Sequence, residues 1–515
     1  MDADSLPDDI ATLRALVIAA RAERDWEKAQ NDKLRHLLVQ LRRAHFGRKS
    51  EKLDDDQLNL ALEDIEAAIA KTEAQDDKAN KTRAVERARE RRTNRGALPA
   101  HLERVHVTIA PEDTNCPCCR SAMHVIGEET AERLDVVPAQ LRVIVSHRPK
   151  YGCRACEAAV VQAPAVERLI KGGLPTEALV ANVLVAKYAD HLPLYRQAQI
   201  MGRQGIAIDR QTLAFWVGYA AAELMPLYRR LKEILLASAK IAVDETRAPV
   251  LDPGRGRTKS GYFWAIARDD RSWGGSDPPA VVYTYAPGRG AIHGAELLAS
   301  YRGIVQCDGY AAYKSLDETR ITLAFCWAHA RRKFFDIAKA GPAPIANEAL
   351  TRIAALYEIE SAVRGNSAQE RLAVRRAQAK PLVEAFKSWL EQNLAQVSVK
   401  SVIAEAIRYG LNHWRGLTRF LDDGRIELDT NIVERSIRPI ALNRKNALFA
   451  GHDEGAANWA AIASLIETAK LNGTEPQAYF ADVLTKLVNL WPQDRLDDLM
   501  PWAWAATQSE ARLAA

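Results

Sequence analysis

Three carboxylates stand beside apolar segments of the sequence, and together they could perform metal-dependent chemistry. Asp244 follows Ile-Ala-Val, Asp308 follows Gly-Ile-Val-Gln-Cys, and Glu434 lies within Asn-Ile-Val-Glu-Arg. Clustered carboxylates raise one another's pKa unless divalent cations neutralise them. Mg²⁺ or Mn²⁺ prefers such oxygens, and two ions about 3.5–4 Å apart can serve both the attacking and the leaving oxygen of a phosphodiester. Any one acid could be an ordinary solvated residue, but Asp-Gly-Tyr directly after an apolar strand favours a phosphoryl-transfer site.

The elements that must position these acids are predicted from short β-branched or aromatic segments bounded by Gly, Pro and charged residues. Strands are predicted at 241–243, 262–267, 280–285, 303–307 and 321–325, with a helix at 292–301. This order indicates a mixed α/β sheet. Asp244 and Asp308 would end two strands, where open α/β sheets bind ligands. Apolar residues recur at helical spacing around Glu434, so a helix crossing the strand ends could complete the cluster.

Five of the seven cysteines lie within residues 116–156 and indicate a metal site. Two Cys-x-x-Cys pairs give the four thiolates that a structural Zn²⁺ accepts; the predicted ligands are Cys116, Cys119, Cys153 and Cys156. Cys118 is then spare, because using it in place of Cys119 would break the two-residue spacing. A redox dithiol would need no second pair.

A helix-turn-helix is predicted between residues 176 and 224, with helices at 176–189, 193–203 and 209–224. Asp209 is the expected N-cap of the last helix. The residues that follow it would meet base edges or phosphates, as they do in a recognition helix; they are Arg210, Gln211 and Thr212. The alternative is a three-helix packing element without DNA contact.

Further candidates surround the carboxylates. Cys326 and His329 are one helical turn apart, but a zinc site there would need two more ligands. Cys326 is therefore expected to be buried, and His329 is expected to approach the acidic centre or DNA.

Phosphate contacts are predicted for two basic clusters; these are Arg331, Arg332 and Lys333, then Arg435, Arg438, Arg444 and Lys445. Glu434 and Arg438 are also spaced for a stabilising ion pair. Trp414 and Arg415 could face DNA, although a Trp on an amphipathic helix is more often core.

The length of 515 residues predicts several domains, the 48% hydrophobic content allows real cores, and the net charge is only +5. With the predicted elements, this gives a multidomain α+β protein. The segment 78–95 carries eight Lys or Arg against two Glu, which suits either a solvated linker or a phosphate-contacting tether. No apolar run reaches about 18 residues, and the acidic start lacks a secretory region, so we expect a cytoplasmic protein with no membrane partner. The sequence contains no nucleotide-binding Gly-rich loop, so ATP is not expected.

Five segments in order closely resemble the transposases of the insertion sequence 66 family: DETRAPV, RTKSGYFWAIARDD, CDGYAAY, CWAHARRKF and ERSIRPIALNRKNALFAG. The resemblance implies a ribonuclease-H-like core whose acidic triad, Asp244, Asp308 and Glu434, performs DNA strand cleavage and strand transfer. It also supports a functional His329, oligomerisation and small accessory proteins. Asp429-Thr430-Asn431 followed by Ile-Val-Glu-Arg departs from the family's usual Asp-Asn-Asn before Ala-Glu-Arg, and Ala447 replaces a common aromatic residue.

The interpretation is a transposase that binds transposon-end and target DNA, forms a homo-oligomer and associates with the nucleoid when bound to DNA. A nuclease without joining activity and a non-catalytic DNA-binding regulator are the alternatives. The predicted regions are a helical coiled coil at 1–77, a basic linker at 78–100, a zinc module at 101–168, a helix-turn-helix at 169–238, the first part of the core at 239–340, a helical insertion at 341–426, the core completion at 427–470 and a helical C-terminal region at 471–515.

Overall fold

The computed structural model describes residues 141–152, 160–162, 164–171, 173–252, 257–447 and 450–514, with isolated helical positions between 9 and 21 and between 82 and 89. The chain divides into two compact units, residues 1–140 and 141–515. In the first unit, Asp9 accepts hydrogen bonds from the Thr12 amide and hydroxyl where a helix begins. Most of the predicted coiled coil and basic linker lie outside the described residues, as do the four predicted zinc ligands.

The second unit opens with a small antiparallel pair of strands. β1 (Lys150–Gly152) and β2 (Val160–Gln162) pair with Tyr151 opposite Val161. In sequence the two strands flank Cys153 and Cys156.

A five-stranded mixed sheet forms the centre of the second unit. Its strands are β3 (Lys240–Asp252), β4 (Arg257–Arg268), β5 (Ala280–Ala286), β6 (Gly303–Cys307) and β7 (Ile321–Phe325). Their order is β5-β4-β3-β6-β7. The first three strands pair antiparallel, whereas β3, β6 and β7 run parallel. The mixed sheet predicted from the sequence is confirmed.

The prediction that Asp244 ends its strand is wrong. β3 continues to Asp252 because its second half forms a long hairpin with β4, in which Glu245 pairs with Trp264 and Asp252 with Arg257. Only Lys240–Ala242 of β3 pairs with β6. Asp244 therefore lies where β3 loses its parallel neighbour.

Helices cover both faces of the sheet. α1 (Glu177–Tyr188), α2 (Leu194–Arg203) and α3 (Arg210–Leu236) precede the sheet, and α4 (Ala291–Leu297) follows β5. α3 runs well past the predicted end at residue 224, since Leu227, Leu231 and Leu235 are fully buried in the main core. α4 is shorter than the predicted helix, and Tyr301 beyond it is buried, with its hydroxyl donating to the Ile304 carbonyl.

α5 (Trp327–Ala340) follows β7, and helices fill the region predicted as an insertion. The helices of that region are α6 (Pro344–Ala362), α7 (Ala368–Val374), a π-helical turn (Arg375–Ala379), α8 (Lys380–Gln396), α9 (Val402–Asn412) and α10 (Trp414–Leu417). A second hydrophobic core joins them to the sheet through Ile304 and Ala324. Trp414 packs in it against Trp327 and Phe386, which confirms the core interpretation of this residue.

Four further helices follow the inserted region. α11 (Asn431–Ala447) crosses the sheet and α12 (Asp453–Leu471) covers its edge, followed by α13 (Pro476–Val488) and α14 (Pro501–Ala514). Ser464 accepts a hydrogen bond from the Tyr283 amide and Thr468 one from the Val281 amide, at 2.8 and 3.1 Å. Helical hydroxyls thus pair the otherwise open edge of β5. Across the described chain, each helix is too short or too polar to traverse a membrane.

Candidate active site

Asp244 and Asp308 occupy equivalent positions on neighbouring parallel strands. Ala242 pairs with Gln306, and each carboxylate lies two residues further along the chain. Because side chains alternate along a strand, both carboxylates project from the same face of the sheet. Asp308 directly follows β6, as the sequence predicts.

The turn after Asp308 is held from two sides. The Asp308 carboxylate accepts the Tyr310 amide at 2.7 Å, and Gly309 has a φ of +86°. From the inserted helices, the Tyr409 hydroxyl donates to the Asp308 carbonyl at 3.0 Å, and His413 Nε2 lies 3.3 Å from the Gly309 carbonyl. The helical insertion therefore contacts the turn that carries the second carboxylate.

A buried glutamine brings the third carboxylate over the sheet. The Gln306 amide donates to the carbonyls of Glu427 and Asp429 at 2.6 and 3.0 Å. This contact places the start of α11 on the same face as the two aspartates. In the first turn of α11, Glu434 accepts the Thr430 hydroxyl at 3.1 Å.

The pKa of Asp244 is raised by burial and by neighbouring acids. Burial raises the pKa of Asp244 to about 7, aided by the negative charges of Glu245, Asp308 and Glu434 and opposed by the Glu245 amide that it accepts. Asp244 therefore lies within the electrostatic influence of Asp308 and Glu434, and all three carboxylates carry oxygen atoms of the kind that a hard divalent cation binds. Burial also raises the pKa of the nearby Asp429, with help from Glu427 and Glu434.

Glu245, the second acid of the Asp-Glu-Thr motif, belongs to the opposite face. Its fully buried side chain accepts Arg289 at 2.6 Å and the Tyr313 hydroxyl at 2.7 Å. The Arg289 guanidinium stands 4.0 Å from the Tyr310 ring centre. Glu245 thus anchors the Asp308 turn from behind.

Cys326 and His329 both lie near Glu434, although the sequence predicts only a buried Cys326 and a His329 close to the acidic centre or DNA. Cys326 is buried, and its Sγ accepts the Thr430 amide at 3.3 Å. His329 Nδ1 lies 3.8 Å from Glu434 Oε1. Among the described residues, these three side chains form the group whose ligand atoms all lie within 4.8 Å of one another.

The predicted phosphate contacts lie on α5 and α11. Arg332 and Lys333 are exposed on α5, where the Lys333 ammonium stands 5.5 Å from the Tyr409 ring centre. Arg331 is half-buried against Phe335. On α11, Arg435 and Arg438 are exposed, whereas the Arg444 and Lys445 side chains lie outside the described residues.

A cavity of about 360 Å³ opens beside the start of α11. Its lining includes Lys240, Gln306, Glu427, Asp429, Asn431 and Arg435. Behind it, the fully buried Arg371 bridges Glu360 and Glu427. This buried network connects the inserted helices to the segment that leads to Glu434.

The start of α3 carries the residues predicted to read DNA. Asp209 accepts the Thr212 amide at 2.6 Å, which confirms the predicted N-cap. Thr212 also donates its hydroxyl to Asp209, while Arg210 and Gln211 are exposed.

Comparison with known proteins identifies the family. Residues 172–458, more than half of the chain, match the family model described as "Transposase IS66 family". The chain belongs to the IS66 transposase family. The IS66 C-terminal element matches residues 464–502, and the zinc-finger binding domain of transposase IS66 matches residues 113–157, a range that contains all four predicted zinc ligands. Residues 33–107 match a model described as "Transposase C of IS166 homeodomain".

Three Sinorhizobium fredii (strain NBRC 101917 / NGR234) proteins are similar over most of their length. The uncharacterized protein y4jD is 44% identical over 98% of both chains. The uncharacterized protein y4qI is 40% identical over 96% of this chain and 97% of its own, and y4hP is 37% identical over 91% and 88%. The family resemblance recognised from sequence motifs is confirmed.

Proposed function

We propose that this IS66-family chain is an active transposase that cleaves DNA at transposon ends and transfers the freed strand into target DNA. Asp244, Asp308 and Glu434 would hold two Mg²⁺ or Mn²⁺ ions. The observation that carries the proposal is the placement of the acids: Asp244 and Asp308 lie two residues beyond the paired Ala242 and Gln306, and Gln306 binds the segment that leads to Glu434. Three acids brought together from separate parts of the chain suit a site completed by cations.

The protein's part in the reaction is positioning. Bound at the three carboxylates, the ions would neutralise charge on the attacking and leaving oxygens. Gln306 sets the height of α11 above the sheet, and Tyr409 holds the Asp308 turn. The sheet order, with the first acid on the central strand and the second on its parallel neighbour, supports a ribonuclease-H-like core.

DNA binding is proposed for the exposed basic side chains beside this centre, Arg332, Lys333, Arg435 and Arg438, and for Arg210 and Gln211 at the start of α3. Phosphate contacts release counterions, so Arg435→Ala should reduce the salt dependence of end binding by about one unit of log–log slope. The homeodomain-like and zinc-finger matches support a DNA-engaging amino-terminal half. Assembly of two ends would need at least a dimer, with small accessory proteins as further partners.

The test is cleavage and joining of labelled transposon-end DNA with Mg²⁺. Wild type should produce both products, and Asp244→Asn, Asp308→Asn and Glu434→Gln should produce neither while still binding ends. Asp317→Asn is the matched control, because this exposed aspartate follows Asp308 closely but pairs with Thr319 and Arg320. Cleavage without joining would identify a nuclease, and full activity in Asp308→Asn would refute the triad.

A further inference from the structure

A second possible metal site includes the third carboxylate, Glu434, together with a thiol and an imidazole. Cys326 directly follows β7, His329 stands in the first turn of α5, and Glu434 stands in the first turn of α11. The Cys326 sulfur, a His329 ring nitrogen and a Glu434 oxygen all lie within 4.8 Å of one another. Ligands bound to one tetrahedral ion at about 2.0–2.3 Å lie closer together than this limit, so small side-chain movements would bring the three atoms onto one ion.

The histidine supplies the second observation. His329 Nδ1 is buried and makes no hydrogen bond, while Glu434 Oε1 lies 3.8 Å away. Buried polar atoms of folded proteins are usually satisfied, so a nitrogen without a partner beside a thiol and a carboxylate indicates a missing ligand.

The surroundings of the thiol fit a metal ligand. Cys326 is 1% exposed, and the Thr430 amide points at its sulfur from 3.3 Å. Thr430 also donates its hydroxyl to Glu434 at 3.1 Å. One residue thus orients two of the three candidate ligands, as outer hydrogen bonds do in metal sites.

We propose that Cys326, His329 and Glu434 bind one Zn²⁺-class ion, with a fourth position left open. Sulfur and imidazole select this class over Mg²⁺, which prefers oxygen ligands. Binding releases the thiol proton, so affinity should rise with pH. The site differs from the four-cysteine module in its ligands and its place in the chain.

This binding has a regulatory consequence, which rests on the proposed function. A zinc ion held by Glu434 would remove that carboxylate from the Mg²⁺ centre. Zinc should therefore inhibit strand cleavage, and Cys326→Ser should relieve the inhibition.

The test measures bound zinc by mass spectrometry of the full chain after equilibration with micromolar Zn²⁺ and gel filtration. Wild type should retain one zinc more than Cys326→Ser and His329→Gln. Cys307→Ser should match wild type, since Cys307 is a buried thiol on β6 outside this ligand set. His329 is more exposed than Cys326, so its variant is the safer one for folding, which circular dichroism would check.

Equal zinc in wild type, Cys326→Ser and His329→Gln would overturn the proposal. A Co²⁺ titration of the metal-free protein gives an independent measurement, because wild type should show thiolate-to-cobalt absorption in excess of that of Cys326→Ser. Neither measurement requires activity. Failure of the transposase proposal would instead appear as absent cleavage in Mg²⁺ alone.

Discussion

Tyr409 donates its hydroxyl to the main-chain oxygen of Asp308 across 3.0 Å. A helix of the insertion thereby reaches the turn that carries the second carboxylate, and His413 from the same helix end packs against Gly309. The insertion that separates Asp308 from Glu434 in sequence is thus part of the support of the candidate centre.

Tyr409→Phe should lower cleavage by about 10-fold to 100-fold, since small displacements of a reacting group are costly. The loss of one hydrogen bond should reduce the free energy of unfolding by only about 1 kcal/mol. Tyr479→Phe is the matched control, because Tyr479 is buried and donates to the Leu499 carbonyl at 2.8 Å, away from the site. Equal cleavage by the two variants would contradict a positioning role for Tyr409.

Gly309→Ala should destabilise the fold more than Gly205→Ala does. Both glycines have positive φ, +86° and +82°, so each substitution should cost about 1 kcal/mol in backbone strain. A Cβ at Gly309 would lie 2.8 Å from the His413 ring, whereas one at Gly205 would meet nothing within 4 Å. Overpacking should add about 1–3 kcal/mol at Gly309 alone. Urea unfolding of both variants measures the difference. Equal losses in the free energy of unfolding would show that the His413 ring moves aside without cost.

Asp244 should make stability fall as pH rises. Its pKa increases from 3.8 to about 7 on folding, so the folded state binds the proton more tightly and loses that advantage between these values. Asp244→Asn should therefore be more stable than wild type by ~1–3 kcal/mol at pH 8 and nearly equal to it at pH 4. Mg²⁺ should raise the melting temperature of wild type more at pH 8 than at pH 5.

Asp317 should change the stability of the fold with pH in the opposite direction to Asp244. Hydrogen bonds from Thr319 and then Arg320 lower its pKa to about 2. Ionised Asp317 therefore stabilises the folded state above pH 3.8, and this stabilisation is lost at lower pH. Asp317→Asn should thus lose stability at neutral pH. Thermal melts of both variants across pH would reject this assignment if the two profiles changed in the same direction.

Thr468→Val should destabilise the sheet edge by about 1–3 kcal/mol, because it leaves a buried amide and carbonyl unpaired. The Thr468 hydroxyl accepts the Val281 amide and donates to the Val281 carbonyl. Thr507→Val removes an exposed hydroxyl that donates to the Ala503 carbonyl, and should change stability by less than about 0.5 kcal/mol. Chemical denaturation of the pair gives the comparison.

Local patterns predicted the strands, the N-cap at Asp209 and the position of Asp308, because apolar alternation and turn residues carry those signals. The same patterns failed where the structure of a segment depends on pairing with a segment that is distant in sequence. The segment after Asp244 contains Arg247 and Pro249, which do not suggest a strand, yet pairing with β4 extends β3 through both.

The candidate site divides in the same way. The three acids stood out by residue type, but Tyr409 and His413 carry no motif, and only the packing of the insertion brings them to Asp308. Similarly, Cys326 and His329 lacked a third ligand in sequence because Glu434 lies more than a hundred residues further along. Contacts over such separations follow from tertiary packing, which local propensity does not encode.

β5 is synthesised well before α12, the helix that pairs its edge. The hydroxyls that pair the Tyr283 and Val281 amides come 181 and 187 residues later in the chain. Ribosomes add about 5–20 residues per second, so a nascent chain would display the bare strand for roughly 10–40 s. During that interval the strand can recruit neighbouring nascent chains, and expression at slow elongation or high polysome density should favour aggregation.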